Sequence, residues 1–418
     1  MRFTGRLSRL VVLATLIWPA IAFADNAASL NQEGVKAFES GDVDSAVFYF
    51  SEALRLDSES ETIRQNLSNA YDAQAALAFD DGRREEAIRL LERAIDASPM
   101  NEGPLIRLGY FFLQMDENLN AIYRLEEAIE VAPDSPEAHF LLGEAYYRDN
   151  DVLSALDQWE WVFEVKPSLP GIKERLETAR REAEVEGDYD YQESRRFSVT
   201  HNPDLSTSEV RRIIRILDSA YNELGRTMSN TFPPGPIQVT LYAAEEFSDS
   251  TLMGEHIGAI FDGTRIRCPV LTPDGELIDE QLLEEVLYHE YVHVLVKYLA
   301  PRGVPWWLNE GLAESLSHEL TETERRMLAY AESNDLLFPM RELEAHQLEK
   351  LDPERLALAY AQAHAATRYL IDQCGMLNVV SVVKRINGGE DASDSLRKAC
   401  HTSYETLDYA LIGAIEDN

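Results

Sequence analysis

Cysteine is scarce. Cys268, Cys374 and Cys400 are the only three in 418 residues, too few for a disulfide scaffold, so apolar cores must hold the fold. In an oxidising compartment Cys374 and Cys400 can pair within the C-terminal helices, leaving Cys268 alone; the spacing does not decide whether they do. Basic residues are also few, 38 Lys and Arg against 74 Asp and Glu, for a formal net charge of −36. A surface of that sign repels phosphate backbones and anionic headgroups, which argues against nucleic acid or an anionic membrane as a partner.

Long apolar runs are missing except one. Leu10 to Phe23 follows Arg2, Arg6 and Arg9 and ends in Ala22-Phe23-Ala24, the layout of a secretory signal peptide with a small-residue cleavage site. The run is shorter than the roughly 20 residues of a spanning helix and contains Pro19. Residues 1–24 are therefore expected to be removed before Asp25, with no following cysteine to carry a lipid anchor. Losing three arginines and no acid takes the formal charge to −39. The mature chain is expected to be exported, to the periplasm of a Gram-negative cell, with no membrane span after signal cleavage.

What is present first is repetition. Between residues 27 and 169 four units of 27–60, 61–101, 102–135 and 136–169 align. Gly34, Gly109 and Gly143 fall together, as do Ala46, Ala87, Ala121 and Ala155, then Ala53, Ala94 and Ala128. Ser58, Pro99, Pro133 and Pro167 take the helix-ending position, and Phe50, Leu91, Leu125 and Trp159 a bulky packing position. The second unit is seven residues longer, about two helical turns. This pattern resembles tetratricopeptide repeats, which implies an all-α superhelix whose concave groove holds a protein partner. Tyr71, Tyr110, Tyr146 and Tyr147 lie on first helices and are candidates for the groove or the core. Residues 170–195 read as a capping helix to about Glu186 and then a polar linker, GDYDYQESRR.

The second domain, 196–418, mixes strand and helix signals. Phe197-Ser198-Val199 and Ile237 to Tyr242 read as strands, and Val210, Ile213, Ile214, Leu217, Tyr221 and Leu224 place a helix over 206–229. Gly258 to Arg267 reads as two short strands around a turn. Asp279 then caps a helix containing His289-Glu290-Tyr291-Val292-His293. Residues four apart share a helix face, so His289 and His293 can offer two imidazoles to one metal ion, with Glu290 one residue round, able to reach a water on that ion. Arg302-Gly303-Val304-Pro305 breaks the helix. A second helix then begins at Trp306-Trp307-Leu308-Asn309-Glu310, an antiparallel return that would bring Glu310 to the histidine pair as a third ligand. Glu314, one turn on, is placed to accept from a ring N–H and fix its tautomer.

HEYVH followed by WWLNEGLAE resembles the gluzincin metallopeptidases, most of all the small bacterial peptidase MA-like domains, over about Phe197 to the C-terminus. The ligand spacing is shorter than in thermolysin, so the connecting loop is tighter. The resemblance implies an α+β zincin-like fold and one Zn²⁺ per chain held by His289, His293 and Glu310, with Glu290 as catalytic base. It also implies an edge strand whose main chain at Gly258, Ala259 and Ile260 pairs with an extended peptide, and an oxyanion donor at Tyr360, with His364 as its alternative on the same face. The other histidines, His139, His201, His256, His318, His346 and His401, show no ligand spacing and read as surface or satisfied structural groups.

The expected protein is thus an exported zinc metallopeptidase acting on a peptide or protein substrate, with a repeat array that binds a protein partner or substrate. The alternative is a catalytically silent cell-envelope adaptor that works through its repeats.

Overall fold

The computed structural model describes residues 17–251, 259–344 and 351–408. They fall into two units that divide between Arg180 and Arg181. Most of the expected signal segment, residues 1–16, lies outside the described residues. Among the described residues no helix is long and apolar enough to cross a membrane.

Eight helices pair off in the first unit: α1 (Ile17–Glu39) with α2 (Val43–Leu56), α3 (Glu61–Asp80) with α4 (Arg84–Ala97), α5 (Glu102–Gln114) with α6 (Asn118–Val131), and α7 (Pro136–Arg148) with α8 (Val152–Val165). Side chains of Asp42, Ser60, Asn101, Ser135 and Asp151 accept from free main-chain N–H groups and open five of these helices. The aligned small residues mark where paired helices touch. A Cβ on Gly34 would sit 2.6 Å from the Phe50 ring, and one on Gly109 2.5 Å from Leu125. Gly143 faces Trp159 in the same way. Each contact joins residues sixteen apart, and Ala75 with Leu91 continues the series, both fully buried. Counted from that pair, the seven extra residues of the second unit lengthen α3 at its N-terminal end, 20 residues against 13 in α5 and α7. Of the tyrosines, Tyr71 is core, Tyr110 is exposed, and Tyr146 and Tyr147 are half-buried.

The sequence from Ile172 to Glu186 forms α9 as expected, with the unit boundary inside it. The expected linker does not hold throughout. Residues Asp190–Glu193 form β1, which pairs antiparallel with β2 (Phe197–His201). Its polar composition hid it because β1 is a sheet edge with mostly exposed side chains.

In the second unit α10 (Thr207–Thr227) follows β2, opened by a reciprocal cap between Ser206 and Glu209. Then come β3 (Ile237–Ala243), α11 (Ala244–Thr251), β4 (Ile260–Phe261) and β5 (Arg265–Leu271). The sheet runs β1-β2-β3-β5-β4, parallel through β2, β3 and β5 and antiparallel at both edges. Beyond it lie α12 (Glu280–Leu299), α13 (Trp306–Ser317), α14 (Glu322–Ser333), α15 (Pro353–Cys374), α16 (Met376–Asn387) and α17 (Ala392–Cys400). One apolar core joins Val199, Val239 and Ile266 of the sheet to Ile213 and Leu217 of α10, Leu287 and Tyr291 of α12, and Leu312 of α13. Cys374 and Cys400 are bonded, their Cα atoms 5.2 Å apart, and Cys268 is a buried free thiol in β5.

Candidate metal centre

The centre is built by α12 and α13. Asp279 caps α12 through the N–H of Gln281, 2.9 Å away, and Leu283, Leu287, Tyr291 and Leu295 bury one face of it. The chain leaves α12 at Leu299 and re-enters a helix at Trp306. Gly311 sets how closely α13 lies against α15, because a Cβ there would collide with the carbonyl oxygen of Ala363 and the hydroxyl of Thr367. Glu310, the residue before it, is thereby held against α12.

Three donor atoms meet there. Nε2 of His293 lies 3.2 Å from Nε2 of His289, and Oε2 of Glu310 lies 3.5 Å and 3.6 Å from them. Ligands about 2.0–2.1 Å from a tetrahedral zinc ion stand about 3.3 Å from one another, so the donor set fits that ion in kind and spacing. Oε1 of Glu314 is 3.6 Å from the other ring nitrogen of His289. Oε2 of Glu290 is buried without a hydrogen-bond partner, as in a pocket whose polar atoms await a further group.

The electrostatics tie the donors to one another. Burial opposes charge on His293, yet the adjacent Glu310 carboxylate raises its pKa to about 9. Burial likewise opposes charge on Glu310, but His293 and His289 hold its carboxyl well below the usual range. Glu290 is 5% exposed. Burial pushes its carboxyl up, against the pull of the two histidines and a hydrogen bond from the Phe261 main chain. A carboxyl raised in this way is suited to taking and returning a proton.

The other expected site residues are distributed as follows. Gly258 lies outside the described residues. Ala259 leads into β4, and Ile260 pairs with Arg267 of β5 on one side, so that β4 is the sheet edge, and α12 packs against it. Tyr360 lies on α15 with its ring edge-on to Trp306 at 5.0 Å between centroids. His364, the alternative oxyanion donor, is fully buried and held by Glu324 at 3.1 Å, a different setting from the one expected for it. His318 is not a lone surface group either. It lies between Glu314 and Glu324, 3.4 Å and 3.7 Å away. The i, i+4 spacing of Glu314 and His318 was the available signal.

The first unit is an array of helix pairs of tetratricopeptide type. A family model for the TPR repeat matches residues 109–150. Among solved structures the chain is similar to MamA, at 21% identity over 37% of this chain and 81% of MamA, with a TM-score of 0.30. It is also similar to Pseudomonas aeruginosa PilF, at 18% identity over 39% of this chain and 72% of PilF, with a TM-score of 0.30. No curated protein matches the chain. Repeats of this type are a protein-interaction scaffold.

Proposed function

We propose that the second unit is a zinc-dependent peptidase of gluzincin type, exported to an oxidising compartment, and that the repeats bind its protein substrate or a partner. The observation that carries the reading is the convergence of His289, His293 and Glu310 within 3.2–3.6 Å beside the buried carboxyl of Glu290. The Cys374–Cys400 bond supports the compartment.

Zinc, when bound, acidifies water and polarises a carbonyl. This chain's own residues do the rest. Glu290 accepts the proton of the attacking water and passes it to the leaving amine, with no covalent intermediate. Glu314 holds the His289 ring in the tautomer that leaves Nε2 free to ligate. The β4 edge at Ala259 and Ile260 binds an extended peptide main chain to main chain. Tyr360 supplies a phenol to the tetrahedral oxyanion, an effect of roughly 2.7–4 kcal/mol for one well-placed donor.

The test compares the purified chain with Glu290→Gln and His293→Ala, measuring zinc content and then cleavage of a mixed peptide library by mass spectrometry. Glu290→Gln should retain zinc and lose at least about a hundredfold in cleavage rate, as expected for removal of a general base. His293→Ala should lose both zinc and cleavage. The second reading is a silent adaptor that works through its repeats, one of which the TPR model matches over residues 109–150. That reading gains if the parent binds zinc yet cleaves nothing; a parent without zinc overturns the peptidase.

A further inference from the structure

Behind the first centre lies a second group of the same chemistry. Glu314 closes α13, His318 follows its last residue, Glu324 stands in the first turn of α14, and His364 comes from the middle of α15. One nitrogen or carboxylate oxygen from each of the four lies within 4.8 Å of all the others. Nε2 of His318 is 3.4 Å from Oε2 of Glu314 and 3.7 Å from Oε2 of Glu324, and Nδ1 of His364 is 3.1 Å from Oε1 of Glu324. The two imidazole rings stand edge to face, 5.0 Å apart.

Two features separate this group from a solvated cluster of charges. His364 has no exposed surface and aims Nδ1 into the cluster, 3.1 Å from Oε1 of Glu324. The cluster is also oriented from outside. Ser317 Oγ lies 3.2 Å from Nδ1 of His318, leaving Nε2 to face the carboxylates. Thr321 holds the second oxygen of Glu324 from its main-chain N–H at 2.7 Å and its hydroxyl at 2.6 Å. Such outer contacts fix ligating side chains in metal sites.

We propose that Glu314, His318, Glu324 and His364 form a second site for a divalent transition metal of the zinc class. Two imidazole nitrogens and two carboxylate oxygens suit zinc and its neighbours better than the all-oxygen sets of calcium or magnesium. Four protein ligands leave no open position for water, so the site ties α13, α14 and α15 together and does no chemistry. Glu314 belongs to both centres, with Oε1 toward His289 and Oε2 toward His318. Filling the second site therefore fixes the carboxylate that positions His289.

The purified chain is stripped with chelator, reloaded with zinc alone, desalted, and its zinc counted per chain beside His293→Ala, His318→Ala, Glu324→Gln and the double His293→Ala/His318→Ala variant. Two zinc ions are expected in the parent, one in each single variant and none in the double. Reloading His293→Ala with cobalt should give the visible absorption of a four-coordinate ion, which Glu324→Gln added to it should abolish. Glu324→Gln keeps the shape of the side chain, so its loss of metal with an unchanged far-ultraviolet spectrum is not a folding failure. Zinc that is lost in His293→Ala and retained in His318→Ala and Glu324→Gln overturns the second site while leaving the first reading intact. Zinc lost only in His318→Ala and Glu324→Gln keeps the second site and removes the first.

Discussion

Single residues in this chain show where local chemistry works against the fold. Asp149 follows the last residue of α7, where helix carbonyls already concentrate negative charge. Burial, and then the neighbouring Asp151, raise its pKa to about 6 from an ordinary 3.8. The folded state thus holds the proton more tightly than the unfolded chain, so stability falls as pH rises from about 4 to about 6 and stays reduced above. Asp149→Asn should stabilise the repeat unit at pH 7 by about 1 kcal/mol, after allowing for solvent screening of a half-buried group, and by almost nothing at pH 3.5. Urea unfolding of both proteins at the two pH values checks this; an equal gain at both would show that charge is not the cause. At this scale the sequence was legible wherever spacing alone encodes contact. His289 and His293 are four apart on one helix, and Gly34 and Phe50 sixteen apart across one turn. It was not legible for His318 and His364, which lie 46 positions apart and meet only because α15 folds back over α13.

Between elements, the contact that matters most is that of α13 with α15. Gly311 was visible only as part of a motif, yet its lack of a side chain is what lets the two backbones approach, with Ala363 and Thr367 opposite. Gly311→Ala forces them apart, an overpacking that typically costs about 1–3 kcal/mol. The variant should melt several degrees lower, at roughly 2–4 °C per kcal/mol for a unit of this size. It should also bind zinc more weakly, since Glu310 moves with α13. A variant that melts and binds like the parent would show that the helices can adjust without moving the ligand. The helices themselves were readable from local pattern, α12 from its Asp279 cap and α10 from apolar residues at helical spacing. β1 escaped because an exposed edge strand needs no apolar alternation, and its partner β2 supplies the buried face.

For the whole molecule the consequence is where the second unit begins. The sequence places its start at residue 196, after a polar stretch, but the carboxylates of Glu182 and Glu186 reach from α9 into the sheet. Glu182 is fully buried and bonds Arg265 at 2.5 Å and Arg267 at 2.7 Å, and Glu186 lies 3.2 Å and 3.4 Å from the same two arginines. Arg265 and Arg267 are themselves only 1% and 5% exposed. Nothing in a charged helix announces that two of its glutamates are core residues; the signal was two arginines in a strand that otherwise reads as buried. Removing one side of a buried ion pair costs about 3–5 kcal/mol, because the remaining charge has no solvent to return to. A chain starting at residue 196 should therefore be far less stable than one starting at residue 172, or fail to fold, although both contain every candidate ligand. Replacing Arg265 and Arg267 by Met in the shorter chain should recover part of the loss, since an apolar pair needs no counter-charge. Denaturant midpoints of the three chains decide the matter. Equal midpoints for the two starts would mean that the network carries little of the fold, and no recovery with methionine would assign the loss to β1 instead.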